Sequence, residues 1–182
     1  IGGFDDRNGI DDIGHVRVYQ INNNSSPPII NYPRIRADEL IYFDDQYQEI
    51  INASAVDSIT GSAEEIITVY SSAGISGLGN TSITVNGSLT VSQFNDLAAK
   101  TSGVITATIS DEDMATLSGL TGTENALTIT VANPSVDAAA LNTLNTRTTL
   151  PVTVSSTTIT GSATDLIAVY KANSLETING LG

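Results

Sequence analysis

Ile59-Thr60-Gly61-Ser62-Ala63-Glu64-Glu65-Ile66-Ile67-Thr68-Val69-Tyr70 returns, one hundred residues later, as Ile159-Thr160-Gly161-Ser162-Ala163-Thr164-Asp165-Leu166-Ile167-Ala168-Val169-Tyr170. The first five residues are identical and the apolar positions behind them are kept. Self-similarity at a fixed offset marks a repeat array. Such arrays supply length and surface more readily than a catalytic pocket.

Other segments follow the same grammar. Helix starts are marked by a capping residue with an acidic or amide residue three positions on. Ser62 with Glu65, Ser92 with Asn95, Ser110 with Asp113 and Ser162 with Asp165 fit this pattern, and a further start falls at Ser135 or Asp137. Apolar residues at helical spacing lie behind them: Ala63, Ile66, Ile67 and Tyr70; Phe94, Leu97 and Ala98; Met114 and Leu117; Leu141 and Leu144. Alternating Thr, Val and Ile predict short strands at 82–85, 104–109, 126–131 and 151–154. Strand centres recur at about 23 residues, within the range of stacked repeats. Leu97-Ala98-Ala99-Lys100-Thr101-Ser102 matches Leu144-Asn145-Thr146-Arg147-Thr148-Thr149, and Phe94 matches Leu141, which supports the register.

One strand and one short helix per unit predict an α/β repeat. The form expected is a parallel β-α solenoid over residues 55–182, with short helices on one face, preceded by an extended β segment. A β-sandwich would leave the repeated helix caps unexplained. Residues 1–22 form an acidic loop and a strand, and 23–54 a linker with lead-in strands. The polar run Asn23-Asn24-Ser25-Ser26-Pro27-Pro28 reads as a linker or an extended edge, and residues 48–53 as a strand.

The chain has 182 residues, 40% of them hydrophobic and 15% charged, with a net charge of -13. The acidic balance argues against nucleic acid as a partner. There is no cysteine, which excludes a disulfide framework and thiolate metal sites. No apolar run is long enough to span a membrane. A polar surface rich in Ser and Thr rather than charge fits an extracellular or cell-surface setting. Leu181-Gly182 repeats Leu78-Gly79, and the chain reads as a fragment of a longer protein.

Two resemblances follow from these residues. Gly2-Gly3-Phe4-Asp5-Asp6-Arg7-Asn8-Gly9, continuing through Gly14-His15-Val16-Arg17-Val18-Tyr19, resembles the end of an FG-GAP-type β-propeller blade. That family implies surface proteins, often calcium-binding. The match spans less than one blade. Residues 55–182 resemble the Thr/Ser-rich repeats of large bacterial, cyanobacterial-type surface proteins. Ile59-Thr60-Gly61-Ser62-Ala63-Glu64-Glu65, Gly77-Leu78-Gly79-Asn80 and their second copies carry that resemblance. It implies an extracellular structural or adhesive role and brings no catalytic residues.

Among candidate sites, Asp5, Asp6, Asn8, Asp11 and Asp12 form the best oxygen-ligand cluster, of the kind calcium takes from one loop. Their spacing is not that of an EF-hand, and a solvated acidic loop is the plain alternative. Asp44-Asp45 is a weaker version of the same idea. His15 is the one histidine and has no evident partners for catalysis. Gly74-Ile75-Ser76-Gly77-Leu78-Gly79 has the glycine density of a phosphate loop. It falls after a helix and before a strand, however, the reverse of what phosphate binding needs, so it reads as a connector. Glu64-Glu65 and Asp111-Glu112-Asp113 read as first-turn residues favoured by the helix dipole. Thr106 with Thr108, Thr128 with Thr130 and Ser82 with Thr84 would stack into a hydroxyl ladder with spacings of about 4.7 by 6.7 Å. Regular hydroxyl arrays order water, as ice-binding surfaces do, while threonine is also a good strand former on a wet face.

The function expected is a structural segment of a large secreted repeat protein that self-associates into a fibre, sheath or surface layer. The alternative is a calcium-dependent adhesin or a glycan-binding spacer module. No enzymatic activity is expected.

Overall fold

A computed structural model describes residues 34–38 and 51–181. The molecule is an α/β fold built on a mostly parallel central sheet. Its strands are β1 (Arg34–Arg36), β2 (Ile51–Asn52), β3 (Ser58–Ser62), β4 (Ile75–Ser76), β5 (Ser82–Leu89), β6 (Ile105–Ile109), β7 (Ala126–Val131), β8 (Ser135–Asp137), β9 (Val152–Val154), β10 (Thr158–Thr160) and β11 (Ile178–Asn179). Between them run α1 (Ala63–Ser71), α2 (Val91–Ala98), α3 (Met114–Leu117), α4 (Ala138–Asn145) and α5 (Ala163–Ser174).

Seven strands form the main sheet in the order β1-β3-β5-β6-β7-β9-β11, and every pairing is parallel. Strands are therefore added along the sheet in the order of the sequence. Two short parallel ladders, β2-β4 and β8-β10, lie beside it. Successive partners in the main sheet lie about 20 to 26 residues apart, from Thr106 opposite Ala126 to Val152 opposite Ile178.

The sheet is one-sided. Along β6 and β7, Ile105, Ala107, Ile109, Leu127, Ile129 and Val131 are buried, while Thr106, Thr108 and Thr128 between them are exposed. A parallel sheet is usually covered on both faces, with near-continuous apolar strands. Here the period-two alternation keeps one face wet. The buried strand residues join Ile66 and Val69 of α1, Phe94 and Leu97 of α2, Leu117 of α3, and Leu141 and Leu144 of α4 in one continuous core.

The repeated signature folds alike in both copies at its cap. Ser62 and Ser162 are the N-caps of α1 and α5, with Glu65 N–H donating to Ser62 Oγ and Asp165 N–H to Ser162 Oγ. In the first copy Ser62 N–H also donates to Glu65 Oε2 at 2.8 Å, completing a reciprocal capping box. The signature's glycine serves close approach. A side chain at Gly61 or at Gly161 would press on Ala37 or Ala138 of the neighbouring strand–helix turn.

Among the boundaries that differ from expectation, three have a visible cause. α2 starts at Thr90, not Ser92, because Thr90 and Gln93 form the capping box while Asn95 bonds the next unit. α3 is capped by Asp113, not Ser110, because Asp111 is engaged with Val91 N–H. β5 runs past Val85 to Leu89, since an irregularity between Thr84 and Ser88 absorbs Asn86-Gly87 and lets Ser88 and Leu89 pair with Thr108 and Ile109.

Polar side chains bind each unit to its neighbour. Thr81 Oγ1 donates to the Val56 carbonyl at 3.0 Å, and Thr101 Oγ1 to that of Thr81 at 2.7 Å. Asn125 Oδ1 accepts from Ile105 N–H at 2.8 Å. Thr148 Oγ1 both accepts from Leu127 N–H and donates to the Leu127 carbonyl. These residues stand at or near the start of successive strands and extend the backbone ladder where the strands give out. That explains the Thr101–Thr148 correspondence, which the sequence shows without its purpose. Asn125→Ala is expected to destabilise the chain by about 1–3 kcal/mol, because Ile105 N–H would be left buried without an acceptor. Urea unfolding measures this, and a loss below about 0.5 kcal/mol would mean the amide is dispensable.

Candidate functional site

Asp5, Asp6, Asn8, Asp11 and Asp12, together with His15, Asp44 and Asp45, lie outside the described residues, as does the propeller-like stretch 2–21. Among the described residues there is no group of three His, Cys, Asp or Glu placed to hold a metal ion. No helix among them is long and apolar enough to cross a membrane.

The acidic runs are used structurally. Both backbone and side-chain hydrogen bonds from Ser62 hold the Glu65 carboxyl below its ordinary range. The Asp111-Glu112-Asp113 run is divided among three tasks. Asp111 Oδ2 accepts from Val91 N–H at 2.7 Å and so caps the helix of the preceding unit. The Glu112 carbonyl accepts from Ala132 N–H. Asp113 caps α3 and accepts from Asn133 Nδ2 at 2.7 Å, which is the main reason its carboxyl also lies below the usual range. Asn133 in turn accepts from Met114 N–H through Oδ1 at 2.6 Å. Caps supplied by the following unit are not legible from local spacing, which shows only residues three apart.

Gly74–Gly79 is a connector. It runs from the end of α1 through β4, and Gly74 N–H donates to Ser72 Oγ. Leu78 is buried and its carbonyl accepts from Tyr70 Oη.

Tyr70 sits half-buried at this junction. Burial raises its phenol above the ordinary value, partly offset by the hydroxyls of Thr101 and Thr81. A group whose folded value is raised contributes stability that is complete below its unfolded value, about 10 for tyrosine, and lost as pH rises through the folded value. Alkaline weakening should therefore set in above about pH 10 and be reduced in Tyr70→Phe. Equal pH profiles for the two proteins would count against it.

The exposed sheet face carries polar residues in register from strand to strand. Thr60, Thr84 and Thr106 lie opposite one another across β3, β5 and β6. Ser88, Thr108 and Thr128 form a second row across β5, β6 and β7. Thr130, Thr153 and Asn179 form a third on β7, β9 and β11. Of the ladder expected from Thr-x-Thr spacing, Thr84, Thr106, Thr108, Thr128 and Thr130 stand in these short rows, stepped by the irregularity in β5, while Ser82 lies opposite Ser58 outside them. Hydroxyls in rows can donate to and accept from water or sugar hydroxyls, and they carry no general base.

A shallow, open depression lies where residues 101–105 meet the turn 122–125, with a volume of about 190 Å³. Small-molecule sites usually begin near 300 Å³ and enclose most of their ligand. Its polar lining includes Thr101 and Asn125, both already engaged between units. Comparison with models of known families, with curated proteins and with solved structures finds no significant match for the chain.

Proposed function

We propose that the chain is a non-catalytic structural segment of a large secreted repeat protein, a parallel β-α solenoid that self-associates into an extracellular fibre, sheath or surface layer. The supporting observation is the strand order. Parallel strands follow the sequence along the sheet, one face stays wet, and polar side chains tie each unit to the next. An array of this kind grows by adding units and leaves strand edges at both ends. Stacking of ends, or donation of the strand expected within residues 13–22, gives a head-to-tail contact that propagates.

Electron microscopy of the full chain in calcium-containing buffer tests this, with a variant lacking residues 1–22 beside it. Filaments or sheets of constant repeat, lost on deletion while the array stays folded, are the expected result. Dispersed particles from the full chain at every concentration would overturn it.

A second reading, a calcium-dependent adhesin or glycan-binding spacer, draws on Asp5, Asp6, Asn8, Asp11 and Asp12 and on the exposed hydroxyl rows. A calcium-dependent rise in thermal stability would favour it, since a ligand held only by the native state stabilises that state.

A further inference from the structure

The two signature helices keep the same apolar positions and bury them differently. In α1, Ile66 and Val69 are buried and Ile67 and Tyr70 are partly buried. In α5, Val169 is buried, yet Ile167 is 70% exposed and Tyr170 49% exposed. Leu175, just past α5, is 65% exposed and extends the patch. Residue identity does not explain this, because Ile67 and Tyr70 match Ile167 and Tyr170. The neighbours do. α1 packs against β5 and α2, and Lys100 Nζ, just past α2, donates to the Tyr70 carbonyl. α5 packs against α4 and β11, and among the described residues no strand–helix unit stands where β5 and α2 stand for α1.

The segment beyond α5 repeats the one that leads into that cover. Ile178-Asn179-Gly180-Leu181 follows α5 as Ile75-Ser76-Gly77-Leu78 follows α1. β11 pairs in parallel with β9 as β4 pairs with β2. Gly180 has φ +94 where Gly77 has φ +89. Parallel pairing and the glycine conformation are thus alike in the two copies, although α5 is three residues longer than α1 and β11 pairs within the main sheet where β4 pairs in a side ladder.

We infer that the α5–β11 face is a docking surface for one further β-strand–helix unit with the pattern of residues 80–101. That pattern sets the chemistry of the partner. It has apolar strand residues at the positions of Ile83 and Val85. Its helix buries residues spaced as Val91, Phe94 and Leu97, and covers Ile167 and Tyr170. It carries a threonine at each of the Thr81 and Thr101 positions, beside the tyrosine. The inference rests on the repeat reading above only in treating the two copies as equivalent, and it requires no filament.

The test lengthens the full chain after Gly182 with a copy of residues 80–125, in frame with the repeat. Site-resolved nitration and hydrogen exchange are compared with the 182-residue chain. Tyr170 nitration should fall to the level of Tyr70, and amide exchange across 166–174 should slow by at least about tenfold. The same extension with the copies of Phe94 and Leu97 changed to serine should lose both effects. A folded extension that leaves Tyr170 and α5 unchanged overturns the inference. So does an extension whose own amides stay unprotected, because the surface then fails to hold the unit it matches. Neither result bears on whether the deletion of residues 1–22 removes filaments, so the two readings fail separately.

Discussion

Phe94→Ala is expected to destabilise the chain by about 3–5 kcal/mol, the range for truncating a fully buried aromatic side chain. Phe94 is 0% exposed and is the largest of the fully buried side chains among the described residues. Its helix, α2, buries Val91, Phe94 and Leu97 at three-residue intervals and packs on β5, β6 and α1. The helix has only eight residues, too few to be stable by itself. Its stability comes from that buried stripe, so removing the central side chain leaves a cavity bordered by three elements. If the units stack as proposed, each mainly on its neighbours, the loss is local before it is global. Hydrogen exchange should therefore speed up in α1, β5 and β6 before α4 and α5. Asp96, exposed on the same helix, supplies the control: Asp96→Ala should change stability by no more than about 0.5 kcal/mol. Chemical denaturation of both variants decides the matter. A Phe94→Ala loss below about 1 kcal/mol would show that the site collapses freely and that α2 is not a keystone of its neighbours.

The alternation of Thr with Val, Ile and Leu made the strands legible, because period two is a local signal and the sheet is wet on one face. β7 spans Ala126–Val131 as the alternation predicts, and β6 and β9 each start one residue later than expected. The caps were less legible, for a physical reason. Ser62 and Ser162 cap the N–H of residues three positions away, so spacing reveals them. Val91 N–H and Met114 N–H are instead satisfied by Asp111 and Asn133, from about twenty residues downstream. The same holds for Asn95, whose amide bonds Gly119 and Thr121 rather than capping its own helix. Side chains that work across units look, in one dimension, like ordinary turn and cap residues. The hydroxyl rows were visible as Thr-x-Thr, but their division at β5 depends on the irregularity at Asn86-Gly87, which alternation alone does not show.

The two glycines of Gly77-Leu78-Gly79 are expected to respond oppositely to alanine, although the sequence presents them as one motif. Gly77 has φ +89, in the left-handed half of conformational space that side chains disfavour. An added Cβ would also lie 2.6 Å from Ser54 N and 2.9 Å from Ser54 Cα, which are backbone atoms with little room to yield. Backbone strain of about 1–3 kcal/mol and the displacement of the turn at Ser54 act together. Gly77→Ala should therefore destabilise the chain by about 2–4 kcal/mol. Gly79 has no heavy atom within 4 Å of the same added carbon and no positive φ. Gly79→Ala should be neutral, or stabilising by up to about 1 kcal/mol through a less flexible unfolded chain. Gly180 repeats the Gly77 condition, with φ +94 and a Cβ that would strike the Val154 carbonyl, so the constraint belongs to the repeat and not to one turn. Thermal unfolding of the two variants separates the connector from the phosphate loop that the same letters suggest. A connector makes Gly77 indispensable through its approach to Ser54 and leaves stability indifferent to added inorganic phosphate. A phosphate loop would make the folded protein more stable in phosphate and weaken that response in both variants. Equal sensitivity at Gly77 and Gly79 would mean that the close approach to Ser54 does not govern this turn.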